Sequence, residues 1–254
     1  MVDPSHPETV YAVTQGVLRR TLDGGKTWTR VGEGLPPRVA GPLRPLDQQL
    51  AADAGGTLYF ATGLVRGAGQ IYRSTSRGAS WQPAGQGLAA ASGFWLLQLA
   101  GDVSGPPGLA YATTGRGVYV TSNAGRRWTR TLRGTAYTIG VGPGGVFALV
   151  IPPHGQGALY RRGTAGWTRL SRVWFDAFAL DLSSSSRMYG WSYDGYRNCA
   201  RLLGSRKRRR ELGVDRPRAA ARPRALREAL TTSVDVFAGA RVPPKPPRAL
   251  SFAA

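Results

Sequence analysis

Short segments of alternating apolar and polar residues recur along the chain. The first three are Tyr11–Thr14, Val17–Thr21 and Trp28–Val31, and turns rich in Gly and Asp separate them. Alternation with a period of two is typical of β-strands, because successive side chains of a strand point to opposite faces. The pattern therefore predicts a β-meander over residues 10–31.

Three later segments repeat this pattern. Their leading strands are predicted at Leu58–Thr62, Leu109–Thr113 and Val146–Val150. The composition, with 35 Gly and 18 Pro, also favours many short strands joined by tight turns. We expect antiparallel sheets at residues 10–31, 58–83, 109–130 and 146–169, with little helix before residue 197.

A turn motif joins the second and third strands of the first unit. It matches the pattern Ser/Thr-x-Asp-x-Gly-x-Thr/Ser-Trp, with Thr21, Asp23, Gly25, Thr27 and Trp28 at the defined positions. The aspartate suits a turn because its carboxylate accepts hydrogen bonds from nearby backbone N–H groups. Glycine supplies a backbone angle that other residues adopt only at a cost, and the tryptophan ring covers the hairpin. We expect Trp28 to be largely buried and the Asp23 carboxylate to face backbone amides of its own turn.

The motif recurs three more times in weaker form. The second copy keeps Ser76, Gly78 and Trp81, the third keeps Asn123, Gly125 and Trp128, and the fourth keeps Trp167 without an aspartate equivalent. The four tryptophans are separated by 53, 47 and 39 residues. Units of roughly 40–50 residues with four strands each are typical of β-propeller blades.

Residues 1–197 resemble the BNR/Asp-box repeat β-propellers, through the segment Val2–Tyr11 and the turn motif that follows it. This superfamily includes sialidase-like, sortilin-like, xyloglucanase-like and photosystem II assembly-factor-like propellers. The resemblance implies an all-β, WD40/YVTN/BNR-like propeller of about four and a half blades in an open or incomplete ring. Because the chain starts within a repeat, we expect a fragment of a larger propeller. The motif is a structural turn shared by enzymes and binding proteins, so it does not assign a function.

The pattern stops near residue 197. Residues 198–254 contain 14 Lys or Arg and 4 Asp or Glu, whereas residues 1–197 contain 20 and 10. We therefore expect a basic, Arg/Pro/Ala-rich tail that is largely disordered, with helical character only at Ala219–Leu230. Three origins stay open for this tail: a nucleic-acid or targeting segment, a natural extension, or a stretch that is out of frame relative to an ancestral propeller gene, which we favour.

Composition narrows the possible partners and compartments. Of the 34 basic residues only Lys26, Lys207 and Lys245 are lysines, a bias that GC-rich codons would produce. The net charge of +20 is therefore weak evidence for nucleic acid, and we expect no nucleic-acid partner. We predict no transmembrane segment, metal site or cofactor. The chain shows no signal peptide, although relatives often act outside the cytoplasm.

Two aspartates are candidates for catalysis. Asp47 and Asp176 each lie five or six residues before a repeat-turn aspartate, near the start of a predicted innermost strand. Such positions approach the central channel of a propeller, and paired carboxylates are what glycoside hydrolysis needs. The alternative is that both are solvated carboxylates at loop-to-strand junctions. The other acidic residues have turn or loop explanations, notably Asp3, Asp53, Asp102 and Asp181 in the same turn of successive repeats.

Two function hypotheses follow. The first is a non-catalytic propeller scaffold that binds a protein or carbohydrate ligand, similar to assembly-factor or sortilin-type domains. The second is a glycoside hydrolase of sialidase or xyloglucanase type, or an inactive fragment of one. Sialidases typically carry a Phe/Tyr-Arg-Ile-Pro segment near the first blade. No such segment occurs here, so a sialidase is disfavoured.

Overall fold

The computed structural model describes residues 1–14, 17–36, 49–62, 70–88, 96–171, 177–180, 188–194 and 199–204. All of these residues belong to one compact unit, Met1–Pro217. They form strands, turns and bends, and none of the described residues is helical. The predicted all-β class is confirmed.

The strands form five antiparallel sheets in chain order. Sheet 1 contains β1 (Val10–Thr14), β2 (Val17–Thr21) and β3 (Thr29–Arg30); sheet 2 contains β4 (Gln49–Ala52), β5 (Leu58–Thr62), β6 (Gln70–Ser74) and β7 (Gln82–Pro83). Sheet 3 contains β8 (Leu96–Gly101), β9 (Ala110–Thr114), β10 (Gly117–Thr121) and β11 (Thr129–Arg133); sheet 4 contains β12 (Thr135–Gly142), β13 (Gly145–Ile151), β14 (Ala158–Gly163) and β15 (Gly166–Ser171). Sheet 5 contains β16 (Ala177–Leu180), β17 (Met188–Asp194) and β18 (Cys199–Gly204). Each strand pairs with the next one along the chain, so every sheet is a meander.

Sheets 1 to 4 coincide with the segments predicted as sheets. Sheets 2, 3 and 4 each have an additional first strand, β4, β8 and β12. Sheet 1 has a short counterpart of this first strand at its N-terminal residues. Val2 forms an isolated antiparallel bridge with Val10, and the Tyr11 N–H donates to the Met1 carbonyl at 2.8 Å. Val2 thus takes the position of Ala52 at the end of β4, immediately before a turn aspartate.

Successive sheets pack face to face through apolar cores. On β5, Leu58 and Phe60 pack with side chains of sheet 1, whereas Tyr59 and Ala61 pack with side chains of sheet 3. All four are at most 1% exposed. Alternate residues of a strand point to opposite faces, so a sheet between two neighbours needs apolar residues at nearly every position of its central strands.

The same arrangement recurs in sheet 4. On β13, Val146 and Ala148 pack with sheet 3, and Phe147 and Leu149 pack with sheet 5. Four-stranded meanders that stack through both faces are the blades of a β-propeller. Each blade buries its faces only against its neighbours, so the fold is held together junction by junction.

The fifth sheet extends past the predicted boundary of the repeat region. Strand β18 pairs with β17, with Gly204 opposite Tyr189 and Cys199 opposite Asp194. This strand lies beyond residue 197, where the motif-based pattern ends. Strand pairing uses backbone N–H and C=O groups, which need no motif. Residues 205–254 lie outside the described residues, and their separation from the propeller stays a prediction.

Candidate functional site

The turn between β2 and β3 is held by a network around Asp23. The Asp23 carboxylate accepts hydrogen bonds from the hydroxyls of Thr21 and Thr27, each at 2.6 Å, and from the Thr27 N–H at 2.9 Å. The Thr21 hydroxyl also accepts from the Gly25 N–H at 2.9 Å. The Thr21 hydroxyl, followed by the Thr27 hydroxyl and N–H, lowers the pKa of Asp23 well below its usual range. This carboxylate thus serves its own turn.

Two further turns, Ser74–Trp81 and Thr121–Trp128, keep the same bonds without an aspartate; together with Thr21–Trp28 we call them the motif turns. In the second, the Ser80 N–H donates to the Ser76 hydroxyl at 2.9 Å. In the third, the Arg127 N–H donates to the Asn123 side-chain oxygen at 2.9 Å. Any short side chain with an oxygen can therefore fill the aspartate position. These sequence-predicted residues form turns and are not brought together into one site.

The three motif tryptophans differ in exposure. Trp81 and Trp128 are 4% and 2% exposed, but Trp28 is 39% exposed. The expectation that Trp28 is largely buried is wrong. Trp81 packs on sheet 1 and Trp128 packs on sheet 2, so each motif tryptophan covers the preceding sheet. In the described part of the chain no sheet precedes Trp28. In sheet 4, Trp167 is half-buried, and its ring N–H donates to the Thr131 hydroxyl at 3.1 Å.

The repeat aspartates are turn residues, as predicted. Asp3, Asp53 and Asp102 are 4%, 0% and 8% exposed. Each accepts a hydrogen bond from the backbone N–H two residues later, at 2.9, 2.8 and 3.0 Å. Such Asx turns fix the entry into the second strand of a blade. These three carboxylates are thus engaged in turn structure.

The strand tyrosines belong to the core. The Tyr59 hydroxyl donates to the Asp53 carboxylate at 2.6 Å, and desolvation followed by that contact raises the pKa of Tyr59. Burial likewise raises the pKa of Tyr111. Both rings lie in the apolar cores between sheets, and a phenol with a raised pKa is a poor nucleophile, so these residues serve the core.

A polar cluster lies around the corresponding tyrosine of sheet 1. The Tyr11 hydroxyl is buried and has no hydrogen-bond partner among the described residues. Burial and then Asp3 raise the pKa of Tyr11, while Arg20 and Arg77 oppose this rise. Arg77 donates to His6 Nε2 at 2.7 Å; because a guanidinium only donates, the His6 ring proton lies on Nδ1.

A Gly-x-Gly-Leu segment connects each of the first two sheets to the next one. Gly32–Leu35 and Gly85–Leu88 are 53 residues apart, which is also the spacing of Trp28 and Trp81. The Glu33 carbonyl accepts from the Trp81 N–H at 2.7 Å, and the Gln86 carbonyl accepts from the Trp128 N–H at 2.8 Å. Alternation of apolar and polar residues did not predict this segment, although its 53-residue repeat is a usable signal.

The first of these segments forms one wall of a cleft between sheets 1 and 2. The cleft has a volume of about 520 Å³. Its lining residues are apolar or glycine, apart from the charged Arg30 and Glu33: Val17, Leu18, Arg30, Val31, Gly32, Glu33, Gly34, Leu35, Pro36 and Ala79. Among these described lining residues Glu33 is the one carboxylate. A single carboxylate does not provide the acid and base pair of a glycosidase.

Positive charge is concentrated beside this cleft. Arg30 is directly opposite Arg19 in the register of β2 and β3. Like charges at opposite positions of an antiparallel pair repel each other. In the described part of the chain neither guanidinium has a carboxylate within salt-bridge distance. An acidic group from a ligand would relieve this repulsion.

Several sequence candidates cannot be placed. Asp47, Asp176 and Asp181 lie outside the described residues. Within the described ranges, no group of three or more His, Cys, Asp or Glu side chains is arranged to hold a metal ion. The same ranges contain no helix long and apolar enough to cross a membrane.

Comparison with known proteins supports the fold. No family model matches the chain, and no curated protein sequence matches it. Among solved structures, the GH74 xyloglucanase from Xanthomonas campestris is similar, with a TM-score of 0.61 and 20% identity over 80% of this chain and 36% of that one. YCF48 from Cyanidioschyzon merolae is similar with a TM-score of 0.53 and 18% identity, over 85% of this chain and 66% of that one. YCF48 bound to D1 peptide is similar with a TM-score of 0.51 and 15% identity, over 81% of this chain and 62% of that one.

The chain therefore spans 36% of the length of the xyloglucanase and 66% of that of YCF48. At such identities the likeness shows the fold and leaves the activity open. Together with the stacked meanders, it shows that the described part of this chain is a β-propeller.

Proposed function

We propose that this chain is a non-catalytic β-propeller scaffold that binds an extended, acidic protein segment in the cleft between sheets 1 and 2. The observation that carries the proposal is Arg30, which lines the cleft and lies opposite Arg19 of the neighbouring strand, since neither guanidinium has a carboxylate partner in the described residues. An acidic side chain would make charge-assisted hydrogen bonds to these guanidinium groups.

The size and lining of the cleft suit a peptide segment. Its volume of about 520 Å³ lies within the usual range of ligand clefts. Leu18, Val31 and Leu35 provide an apolar floor, while Arg30 and Glu33 are exposed at its rim. The solved structure of YCF48 bound to D1 peptide adds support, since it is a similar propeller with a peptide ligand.

The hydrogen bonds of the described aspartates favour binding over hydrolysis. Asp3, Asp23, Asp53 and Asp102 each accept hydrogen bonds within their own turns. A hydrolase would have to rely on other groups, and Asp47 and Asp176 are the sequence candidates. The likeness to a xyloglucanase at 20% identity concerns the fold and does not favour that activity.

Fluorescence anisotropy tests the proposal. The probe is a fluorescein-labelled peptide of eight residues with alternating Glu and Val, and the matched probe has Gln in place of Glu. We expect the Glu probe to bind more tightly than the Gln probe, and Arg30→Ala to weaken it about tenfold, the loss of roughly one charge-assisted bond. Arg133→Ala, in β11 and outside the cleft lining, is the control and should bind like the parent.

Two results would overturn the proposal. One is equal binding of both probes with no effect of Arg30→Ala. The other is hydrolysis of xyloglucan oligosaccharides by the parent chain that is lost in Asp47→Asn or Asp176→Asn, which would establish an enzyme.

A further inference from the structure

Two junctions between sheets share one design. A Cβ atom at Gly78 would lie 3.1 Å from Cε1 of Tyr11, and one at Gly125 would lie 3.1 Å from Cε1 of Tyr59. In each case the strand tyrosine of one sheet therefore lies against the motif-turn glycine of the next sheet. The motif tryptophan of that turn packs in the same core, with the Tyr59 and Trp128 rings edge to face at 6.1 Å between centroids.

Sheet 1 has the motif-turn glycine and tryptophan of such a junction, but no tyrosine from another sheet packs on them among the described residues. Its motif-turn glycine, Gly25, has only its own Trp28 ring within 4.0 Å of a Cβ position. Trp28 is 39% exposed. On β1, Val10 and Ala12 take the positions of Leu58 and Phe60 of β5, which pack against the preceding sheet, yet both are only half-buried. The outer face of sheet 1 is thus built to accept a tyrosine from another sheet.

Sheet 5 has the strand tyrosine of such a junction, exposed on its outer face. Met188 packs in the core with sheet 4, so its neighbour Tyr189 points to the opposite face of β17. Tyr189 follows Met188 as Tyr59 follows Leu58, and it is 42% exposed. It therefore occupies the position from which Tyr11 and Tyr59 dock onto the next sheet.

We propose that these two faces bind each other between copies of this chain, with Tyr189 of one copy seated on Gly25 and Trp28 of a second copy. This contact would continue the two junctions inside the chain, which join the same residue types in the same arrangement. The two faces differ from each other, so the contact is head-to-tail and leaves one free face of each kind on the dimer.

One contact of the internal junctions is missing from this pairing. Arg20 donates to the carbonyl of Arg77 at 2.8 Å, and Arg73 donates to the carbonyl of Ala124 at 3.3 Å. Both arginines lie opposite the strand tyrosine, but Gly204 lies opposite Tyr189. The contact between copies lacks this bond, so we expect it to be reversible and dependent on concentration.

Sedimentation velocity on the full chain tests the proposal over a hundredfold concentration range, with the variants Trp28→Glu and Tyr189→Glu. The parent should gain mass with concentration, and each variant alone should be monomeric. An equimolar mixture of the two variants should form dimers and nothing larger, because each supplies the intact face that the other lacks. Tyr137→Glu, at a tyrosine 43% exposed on β12, is the control and should associate like the parent.

Circular dichroism melts of each variant confirm that it is folded. A parent that is monomeric throughout overturns the proposal, and so does a mixture that stays monomeric. Self-association of Tyr189→Glu alone would show that Trp28 faces pair with each other, which also contradicts the head-to-tail contact. These outcomes are independent of peptide binding in the cleft.

Discussion

The motif turns show which property of a side chain the turn uses. Asp23, Ser76 and Asn123 all accept the backbone N–H of the residue four positions later, each at 2.9 Å. The requirement is an oxygen at the right distance from the backbone, and charge is secondary. This explains why the repeat keeps its geometry where its sequence has drifted. The motif therefore locates the turns, but it does not predict how deeply each tryptophan is buried, because burial depends on the neighbouring sheet.

The motif tryptophans should differ in their contribution to stability. Trp81→Ala removes a ring that packs edge to face on Phe60 at 5.9 Å between centroids, and it should cost about 3–5 kcal/mol. Trp28→Ala removes a ring that is 39% exposed and should cost clearly less. Urea unfolding followed by fluorescence measures both. Equal losses in the two variants would contradict the burial argument.

Asp23 should make stability depend on pH. Its folded pKa is lowered from 3.8, so this carboxylate stabilises the fold above that value and the contribution is lost as the pH falls through the lowered folded pKa. Asp23→Asn keeps an oxygen acceptor, as Asn123 does in the third turn, and removes the titration. We expect its unfolding midpoint to fall less steeply than that of the parent between about pH 4 and pH 2. Parallel slopes would contradict the prediction.

At the scale of elements, the alternation of apolar and polar residues predicted the strands of sheets 1 to 4. It did not predict β18, because Cys199–Gly204 follows the last motif and resembles no earlier third strand. The cleft was also missed, since its wall is the Gly-x-Gly-Leu connection, which carries no alternation. Asp47 and Asp176 are the sequence candidates without a turn explanation, and both lie outside the described residues.

In the Gly-x-Gly-Leu connections, substitution of Gly34 should destabilise the fold, whereas substitution of Gly85 should be tolerated. Gly34 has a φ of +85°, and a Cβ atom there would overlap the Trp81 carbonyl. Gly34→Ala should therefore cost more than about 1 kcal/mol, through strain and the lost approach of the two chains. Gly85→Ala, where a Cβ atom meets nothing within 4 Å, is the matched control and should be neutral or slightly stabilising.

Thermal melts of the two glycine variants measure this difference. The Trp81 N–H donates to the Glu33 carbonyl, and the Glu33 N–H donates to the Ala79 carbonyl, across this junction. Gly34→Ala should therefore also change the cleft and weaken binding of the peptide probe. A loss of stability in both variants would indicate that the connection is intolerant for some other reason.

At the scale of the molecule, stability is a sum over junctions between neighbouring sheets. Each of the four apolar cores in the described residues joins two successive sheets. A chain of this kind unfolds from its least supported sheet, because an end sheet has one neighbour where a central sheet has two. The pattern of the sequence was sufficient to predict this architecture, since each blade repeats the same alternation of apolar and polar residues and most repeat the turn motif. It was insufficient to predict which faces stay exposed.

The segment after β18 provides the last test. Residues 206–210 are Arg206, Lys207, Arg208, Arg209 and Arg210. Burying such charges without partners would cost several kcal/mol each, which is why the sequence predicts that this segment lies outside the propeller. Limited trypsin digestion should cut there first and leave a resistant fragment that includes β18, as mass spectrometry would show. Replacing all five residues by Gln should delay this cut and leave later cuts unchanged. A basic segment as resistant as sheets 2 to 4 would contradict the prediction, because it would mean that the segment is protected by packing. Cleavage within those sheets before the basic segment would contradict it too, because the sheets would then be less protected than the segment.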